Sequence, residues 1–177
     1  MQIICIAGKA GSGKDTVAKF MKEWFENHEE RVLITHFADP LKFVCEKFFD
    51  WDGKKDKVGR EMLQYVGTDR IRGHNPDFWV MFIREILEVF EDEWDFVLIP
   101  DCRFPNEYEV LADKFNTTLV EVYRPQLESN LTYEQQKHSS ETAMDYYNSD
   151  IIITNDRELP DLKAAVSLLM ESWWRVE

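Results

Sequence analysis

The segment from Ile3 to Thr16 limits the possible folds of this chain more than any other stretch. It begins with the apolar run Ile3-Ile4-Cys5-Ile6-Ala7, passes through glycines at positions 8, 11 and 13, and continues into residues with helical spacing. An apolar run, a glycine-rich loop and an amphipathic segment predict a strand, a tight loop and a helix in direct succession. The loop from Gly8 to Lys14 also has the spacing Gly-x-x-x-x-Gly-Lys, which is typical of phosphate-binding loops (P-loops).

This loop predicts a site for a nucleoside triphosphate. Glycines allow the backbone to curl so that successive N–H groups point at phosphate oxygens, and the following helix adds the partial positive charge of its N-terminus. Lys14 would reach the outer phosphates as a point charge. A glycine-rich segment before a helix can be a simple turn, but the strand, the spacing and the lysine coincide here. The predicted triphosphate ligands are Gly8, Lys9, Ala10, Gly11, Ser12, Gly13, Lys14, Asp15 and Thr16.

The loop departs from the usual pattern directly after its lysine. That position commonly holds a serine or threonine whose hydroxyl binds Mg²⁺, whereas this chain has Asp15 there and Thr16 one position later. A carboxylate beside a triphosphate is repelled unless a metal or a basic side chain lies between them. We therefore expect Asp15 to face Mg²⁺, directly or through water, or to pair with a neighbour such as Lys9. Alternatively, Asp15 is an acidic residue in the first turn of the helix, a position that the helix dipole favours.

The charge balance argues against one class of partner. The chain of 177 residues has 34 acidic and 21 basic residues, a net charge of −13, whereas an extended nucleic-acid surface needs a basic face. The three cysteines lack the spacing of a zinc site or a disulfide framework, and Cys5 is expected in the core. The first apolar run ends at Gly8, so neither a signal peptide nor a membrane span is indicated. We expect a single cytoplasmic domain over 1–177.

Strands and helices alternate along the chain. Strands are predicted at 2–7, 32–37, 95–100, 118–123 and 150–154, and helices at 14–27, 40–49, 59–71, 76–91, 106–115 and 160–173. This alternation predicts an α/β fold, a doubly wound five-stranded parallel sheet with helices on both faces. The longest connection, at about 40–94, has no strand signal and predicts a helical acceptor-binding insertion, and a polar excursion at about 124–141 predicts a lid.

Ligands of such sheets bind outside the carboxyl ends of the strands. The polar residues that this rule brings to the loop are Asp39, Lys42, Asp101, Arg103 and Arg124. An acid at such a strand end commonly organises Mg²⁺ beside a phosphate-binding loop, so Asp101 joins Asp15 as a predicted metal ligand. The alternative is that Asp101 and Arg103 form a pair that only caps the following helix, for which Asn106 is a good N-cap.

The insertion and the lid add further polar candidates. Arg60 and Gln64 lie one helical turn apart and share a face; an arginine can bind phosphate, and an amide can recognise a base edge. The candidates in these two segments are Arg60, Gln64, Arg70, Arg72, His138 and Glu141. Each could equally be a solvated helix residue, and Ser139 or Ser140 could be a helix cap. The apolar residues Phe78, Trp79, Phe82 and Ile86 recur at helical spacing and predict a core-facing stripe.

Taken in order, these motifs resemble those of phage-type deoxynucleoside monophosphate kinases. The resemblance rests on Gly8-Lys9 with Ser12-Gly13-Lys14-Asp15-Thr16, on Phe37-Ala38-Asp39-Pro40-Leu41-Lys42, on Arg60 with Leu63-Gln64 and Gly67-Thr68, on Asp101-Cys102-Arg103-Phe104-Pro105-Asn106-Glu107, and on His138-Ser139-Ser140-Glu141. These segments span positions 8 to 141. The Ser-Gly-Lys-Asp-Thr form is also similar to the loop of animal phosphomevalonate kinases, so it does not by itself identify the acceptor.

The resemblance implies a P-loop kinase fold and ATP-dependent transfer of a phosphoryl group, with Mg²⁺, to the 5′-phosphate of a deoxynucleotide. It also suggests a homodimer, in the cytoplasm of a bacterial host if the chain is phage-encoded. The predicted catalytic residues are Lys14, Asp101, Arg103 and Arg124, and the predicted acceptor ligands are Asp39, Lys42, Arg60, Gln64, Arg70, Arg72, Arg103, His138 and Glu141. Nucleotide kinase lids usually carry several arginines, whereas 125–141 has none, so Arg124 at its entrance is the arginine assigned to the lid.

The chemistry of a phosphorylated acceptor agrees with this set of residues. A phosphate monoester has a second pKa of about 6 and is already anionic at neutral pH, so no strong general base is required. Two alternatives stay open, a kinase of another small phosphorylated acceptor and a kinase of a modified base in DNA, although the acidic charge opposes the second. A GTPase is discounted, because Thr154-Asn155-Asp156-Arg157 lacks the lysine of the guanine-binding Asn-Lys-x-Asp motif.

Overall fold

Five parallel strands form one sheet in this computed structural model, which describes residues 1–174. The strands are β1 (Gln2–Ala7), β2 (Val32–Ile34), β3 (Phe96–Cys102), β4 (Asn116–Tyr123) and β5 (Ile151–Thr154), and their order in the sheet is β2-β3-β1-β4-β5. The predicted α/β class with a five-stranded parallel sheet is confirmed. Strand β2 is shorter than predicted, because the chain turns after Ile34 into the next helix. Strand β3 is longer and includes Asp101.

Eight α-helices connect and cover the strands within the described residues. They are α1 (Lys14–Glu26), α2 (Ala38–Phe48), α3 (Lys57–Gln64), α4 (Phe78–Val89), α5 (Pro105–Ala112), α6 (Tyr133–Lys137), α7 (Ser139–Thr142) and α8 (Leu159–Trp174). The short helices α6 and α7 lie in the predicted lid and were not predicted as helices from the sequence. Over residues 1–174, none of the helices combines the length and the apolar character that crossing a membrane requires.

The core has two layers, one on each face of the sheet. Along β1 the side chains alternate, so that Ile4 and Ile6 pack with α1 and α8 while Ile3 and Cys5 pack with α4 and α5. All four side chains are fully buried. A strand that is apolar on both sides belongs in the middle of a sheet covered by helices on both faces. This central position fixes the loop after β1 at the middle of the carboxyl edge.

The insertion between β2 and β3 consists of α2, α3, a π-helical segment and α4. The helix predicted at 59–71 is found as α3, which ends at Gln64, followed by the π-helical segment Tyr65–Arg72. The Gly67 carbonyl in this wider turn accepts a hydrogen bond of 3.0 Å from the Trp79 indole of α4. A π-helical turn inserted in an α-helix is often found at a functional site, and this segment lies beside the cleft described below.

The prediction that Phe78, Phe82 and Ile86 belong to the core is wrong. The side of α4 that faces the sheet carries Trp79 and Ile83 among other buried residues, whereas Phe78, Phe82 and Ile86 are 43%, 47% and 39% exposed. The helix is apolar on two sides, and helical spacing alone does not say which of two apolar stripes meets the sheet. The outward stripe is an exposed apolar face on α4.

A buried ion pair ties the insertion to the sheet. Arg72, at the end of the π-helical segment, contacts the Glu107 carboxylate of α5 at 2.5 Å, and both side chains are almost fully buried. The second carboxylate oxygen of Glu107 accepts hydrogen bonds from the backbone N–H groups of Arg103 (2.6 Å) and Phe104 (3.1 Å). Burial raises the pKa of Glu107 to about 7, and the charge of Arg72 acts in the opposite direction. The carboxylate thus fixes both the insertion and the turn after β3.

We expect Glu107→Gln to lower the free energy of unfolding by about 3–5 kcal/mol, because it leaves the Arg72 charge buried without its counter-ion. Denaturant unfolding at pH 8.5, where the Glu107 carboxyl is ionised, measures the change. The matched control is Glu109→Gln on the same helix, since Glu109 is exposed and such changes usually alter stability by about 0.5 kcal/mol or less. Equal losses in both variants would contradict a structural role for the Arg72–Glu107 pair.

Candidate functional site

The loop between β1 and α1 has the backbone that its glycines predict. Gly8, Gly11 and Gly13 have φ angles of 135°, 85° and 105°, values that other residues rarely adopt. At Gly13 space is also restricted, because a Cβ atom there would lie 2.7 Å from the amide nitrogen of Asn155. That amide donates a hydrogen bond of 2.8 Å to the Ser12 carbonyl, so the segment after β5 supports the loop from outside.

Lys14 is held inside the loop. Its side chain is 6% exposed, and Nζ donates hydrogen bonds to the carbonyls of Gly8 (2.7 Å) and Lys9 (2.9 Å). Burial lowers the pKa of Lys14 to about 8, and the charge of Arg103 acts in the same direction. The ammonium group therefore lies within the curl of the loop, where an anion would compensate its charge.

Asp15 pairs with a histidine that the sequence analysis did not select. One oxygen of the Asp15 carboxylate lies 3.2 Å from Nε2 of His36, and Nδ1 of the same ring lies 3.2 Å from the Asp39 carboxylate. The hydrogen bond between Asp15 and His36 lowers the pKa of Asp15 and raises the pKa of His36. The predicted pairing of Asp15 with Lys9 is wrong, because Lys9 forms its ion pair with Asp145 on the other side of the loop.

Asp101 lies at the end of β3 and holds the start of α2. Its two carboxylate oxygens accept hydrogen bonds from the backbone N–H groups of Phe37 (2.9 Å) and Ala38 (3.0 Å). The alternative that Asp101 pairs with Arg103 to cap a helix at Asn106 is wrong, because α5 begins at Pro105 and the carboxylate that serves its N-terminus is that of Glu107. Asp101 therefore links the end of β3 to the first helix of the insertion.

The predicted lid contacts both the loop and the turn after β3. Glu141 contacts the Arg103 guanidinium, and its second oxygen accepts a hydrogen bond of 3.1 Å from the backbone N–H of Ala10. Arg103 also donates to the Ser140 carbonyl at 3.0 Å. The Glu141 carboxylate thus lies between the Ala10 N–H and the Arg103 guanidinium, and both of these donors could bind an anionic ligand.

Two cavities meet at the loop. The α8-side cavity of about 450 Å³ lies between the loop and the start of α8, and its polar lining residues are Lys14, Asp15, Thr16, Arg124, Asn155, Arg157 and Glu158. The insertion-side cavity of about 350 Å³ lies between the loop and the insertion, and its polar lining residues include Lys14, Asp15, His36, Lys42, Lys55, Arg60, Gln64, Arg72, Asp101, Arg103 and Glu141. Gly11, Lys14 and Asp15 line both cavities.

Most of the residues predicted from the sequence lie in one of these cavities, but several do not. The predicted residues that line neither cavity are Gly8, Lys9, Ser12, Asp39, Arg70 and His138. Asp39 is paired with Lys42 at 2.6 Å, and Arg70 is exposed beside the Tyr65 ring. His138 accepts a hydrogen bond from Ser140 N and is the N-cap of α7, the position suggested for Ser139 or Ser140.

Residues that were not predicted from the sequence also lie at the site. Among those with polar side chains in the two cavities or on the loop are His36, Lys55, Asn155, Arg157 and Glu158. The rule that ligands bind at the carboxyl ends of strands could have found His36 and Asn155, which follow β2 and β5 directly. Lys55 had no such signal, because it lies in the middle of the insertion among other lysines.

Comparison with known proteins gives a consistent assignment. The family model of deoxynucleotide monophosphate kinase matches residues 49–166. The chain is 31% identical over 105 residues to the deoxynucleotide monophosphate kinase of Enterobacteria phage T4, covering 58% of this chain and 41% of that protein. It is 26% identical over 196 aligned residues to a putative deoxynucleotide monophosphate kinase of Acanthamoeba polyphaga mimivirus, covering 94% of both. The chain thus spans less than half of the phage T4 protein and nearly all of the mimivirus protein.

Solved structures with the same fold are P-loop kinases of low sequence identity. The APS kinase CysC of Mycobacterium tuberculosis, solved with AMPPNP and APS, has a TM-score of 0.54 and 13% identity and covers 96% of this chain and 97% of its own. Shikimate kinase from Aquifex aeolicus has a TM-score of 0.52 and 14% identity, with 97% of each chain covered. These likenesses confirm the predicted P-loop kinase fold.

The loop and the family match are independent of each other, because the match begins at residue 49, after the loop. The match covers more than half of the chain, including α3, the π-helical segment and α4 of the insertion, β3 and the predicted lid. The chain therefore belongs to the deoxynucleotide monophosphate kinase family.

Proposed function

We propose that this chain transfers the terminal phosphoryl group of ATP to the 5′-phosphate of a deoxynucleoside monophosphate and so forms the diphosphate. The observation that carries the proposal is that the two cavities share Lys14 and Asp15. A donor in one cavity and an acceptor in the other would bring their phosphate groups together at the loop. Such proximity of two polyanions, with positive charge around them, is the main requirement of phosphoryl transfer.

The α8-side cavity suits the donor. Its lining combines the start of α1 with Arg124, whose guanidinium lies 3.3 Å from the Gly11 carbonyl, and with the apolar side chains Leu159 and Leu162. A triphosphate at the N-terminus of α1 would meet the loop N–H groups, and the base would extend toward α8. Lys14, Arg124 and Arg157 are then the cations of the donor side.

The insertion-side cavity suits the acceptor. Trp79, Phe37 and Phe104 contribute aromatic surface, Gln64 contributes an amide that can pair with a base edge, and several cations are available for a phosphate. Arg103 lines this cavity beside its partner Glu141, and we propose that it stabilises the negative charge of the phosphoryl group during transfer. None of these features favours the two alternative acceptors, so we retain the deoxynucleotide.

Mg²⁺ fits the acidic residues at the junction of the cavities. Within residues 1–174 no group of three or more histidine, cysteine or acidic side chains is arranged to hold a metal. Mg²⁺ usually takes one or two carboxylates together with substrate phosphates, and Asp15 and Asp101 both line the insertion-side cavity. We propose that Asp15 faces the ion and that Asp101, whose oxygens are engaged by α2, acts through water. The bound ion would neutralise charge on the phosphates.

The remaining partners are proposed from the family and the surface. We propose that the chain acts on free nucleotides in the cytoplasm, of a bacterial host if it is phage-encoded, and that two copies associate. The exposed apolar face on α4 (Phe78, Phe82 and Ile86) supports an association, because contiguous apolar patches on soluble proteins often mark interfaces. Sedimentation of the purified protein distinguishes a monomer from a dimer.

The direct test is a coupled assay with Mg-ATP and each of the four common deoxynucleoside monophosphates, their ribonucleotide counterparts and mevalonate phosphate. We expect diphosphate product from at least one deoxynucleotide. Thermal shift with the same compounds is a second measurement, because a ligand of the folded state raises the melting temperature. Product from mevalonate phosphate alone, or from none of the compounds, would overturn the proposal.

If Asp15 helps to hold Mg²⁺, Asp15→Ala should raise the Mg²⁺ concentration that gives half-maximal rate, and Asp15→Ser should raise it less, since a serine hydroxyl is the usual ligand there. Titration of Mg²⁺ at saturating ATP measures both. His36→Gln is the matched control, because it removes the partner of Asp15 and keeps the carboxylate. An unchanged Mg²⁺ dependence in Asp15→Ala, with stability lower by about 0.3–1 kcal/mol, would assign Asp15 to the helix start instead.

ATP affinity should depend on the charge of Lys14. With the pKa of Lys14 near 8 in the free protein, bound phosphates would favour the protonated form, so binding takes up a proton above that pH. We therefore expect the Kd for Mg-ATP to be constant below about pH 8 and to rise toward about tenfold per pH unit above it. Calorimetry from pH 7 to pH 9.5 measures this, and Lys14→Arg, which stays charged, should remove the rise. A flat wild-type profile would show that Lys14 is fully charged in the free protein.

A further inference from the structure

The cations of the insertion-side cavity differ in whether a carboxylate neutralises them. Lys42 is paired with Asp39, Arg72 with Glu107, and Arg103 with Glu141. Lys55 and Arg60 also line this cavity, but neither has a side-chain hydrogen bond or ion pair with any residue from 1 to 174. Lys14, the other lysine of this cavity without an ion pair among the described residues, bonds to loop carbonyls. In a chain with 34 acidic and 21 basic residues, several cations without an ion-pair partner in one cavity indicate a site for an anion.

The backbone around Lys55 is fixed by its neighbours. The Lys54 carbonyl accepts a hydrogen bond of 3.0 Å from the Trp51 indole, and Trp51 is buried. Gly59 of α3 packs so closely on this carbonyl that a Cβ atom at Gly59 would lie 2.0 Å from the oxygen. Asp56, on the other side of Lys55, is the N-cap of α3 and accepts a hydrogen bond of 2.9 Å from Gly59 N. Lys55 is therefore held between two anchored residues.

The three lysines of this segment have different surroundings. Lys54 lies 2.8 Å from the Asp52 carboxylate and Lys57 lies 4.0 Å from that of Glu61, and neither lines the cavity. Only Lys55 among them lines the cavity. Burial lowers the pKa of Lys55, the charges of Lys42, Arg60 and Arg103 act in the same direction, and the charge of Asp15 opposes them. A bound anion would relieve this repulsion, and that relief favours binding.

We propose that Lys55, together with Arg60, binds the 5′-phosphate group of the acceptor and selects a phosphorylated over an unphosphorylated nucleoside. This inference rests on the proposed function, since it names a residue of the acceptor site. The two side chains project from adjacent elements, the loop before α3 and the first turns of α3. Lys14 and Asp15 line the same cavity, where the acceptor phosphate must meet the donor.

The test compares Lys55→Met with Lys54→Met, two substitutions of the same size at neighbouring positions. We expect Lys55→Met to raise the KM for the deoxynucleoside monophosphate about tenfold, the effect of losing one charge-assisted hydrogen bond, with less than a twofold change in the KM for ATP. Lys54→Met should behave as the wild type, and Lys55→Arg should recover most of the acceptor affinity. The Kd of the monophosphate, measured by calorimetry without ATP, should rank the variants in the same order as the acceptor KM.

Inhibition by a deoxynucleoside that lacks the phosphate distinguishes the loss of a Lys55–phosphate contact from a distortion of the loop before α3. The inhibition constant of the deoxynucleoside should be equal in the wild type and in Lys55→Met if Lys55 touches only the phosphate. Similar acceptor KM values for the two methionine variants, or a loss of deoxynucleoside binding equal to that of the monophosphate, would overturn the proposal. If the wild type binds the monophosphate but forms no diphosphate, the proposed function fails, while the binding experiment still decides the role of Lys55.

Discussion

The buried ammonium group of Lys14 is the interaction on which the site depends. It bonds to the carbonyls of Gly8 and Lys9 and so closes the loop on itself in the free protein. The same group lies where the two cavities join. Removal of a lysine from water lowers its pKa, and the folded chain tolerates the charge because loop carbonyls and nearby carboxylates compensate it. A phosphate would take over this compensation, which couples loop geometry to nucleotide binding.

Around this lysine, carboxylates hold several of the cleft cations in defined positions. Glu107 fixes Arg72 and the turn after β3, and Glu141 fixes Arg103 against the lid. Pre-positioned charges need little reorganisation when a substrate arrives, and this is the main source of electrostatic catalysis. The same pairs join the insertion, β3 and the lid, so the elements that cover the cleft are linked through the groups that would bind its ligands.

The sequence was most informative where local patterns determine structure. The strand, glycine-rich loop and helix at the N-terminus were predicted from residues within a short window, as were the five strands and the positions of Asp101 and Arg124 at their ends. The helix boundaries of the insertion were less well predicted, because tertiary contacts such as the Trp79–Gly67 hydrogen bond determine where α3 gives way to a π-helical segment. The exposed stripe of α4 was misassigned for a related reason, since both sides of that helix are apolar.

By itself, the sequence determined the fold class, the phosphate-binding loop and most residues at the carboxyl edge of the sheet. These follow from periodicity, glycine positions and the topology of parallel sheets, which are all local or general constraints. Only the tertiary structure decided which charges are paired. It placed Lys9 with Asp145, Asp15 with His36 and Arg72 with Glu107, and it left Lys55 facing the cavity. These ion pairs join residues far apart in the chain, and no spacing in the sequence encodes the distance between their side chains.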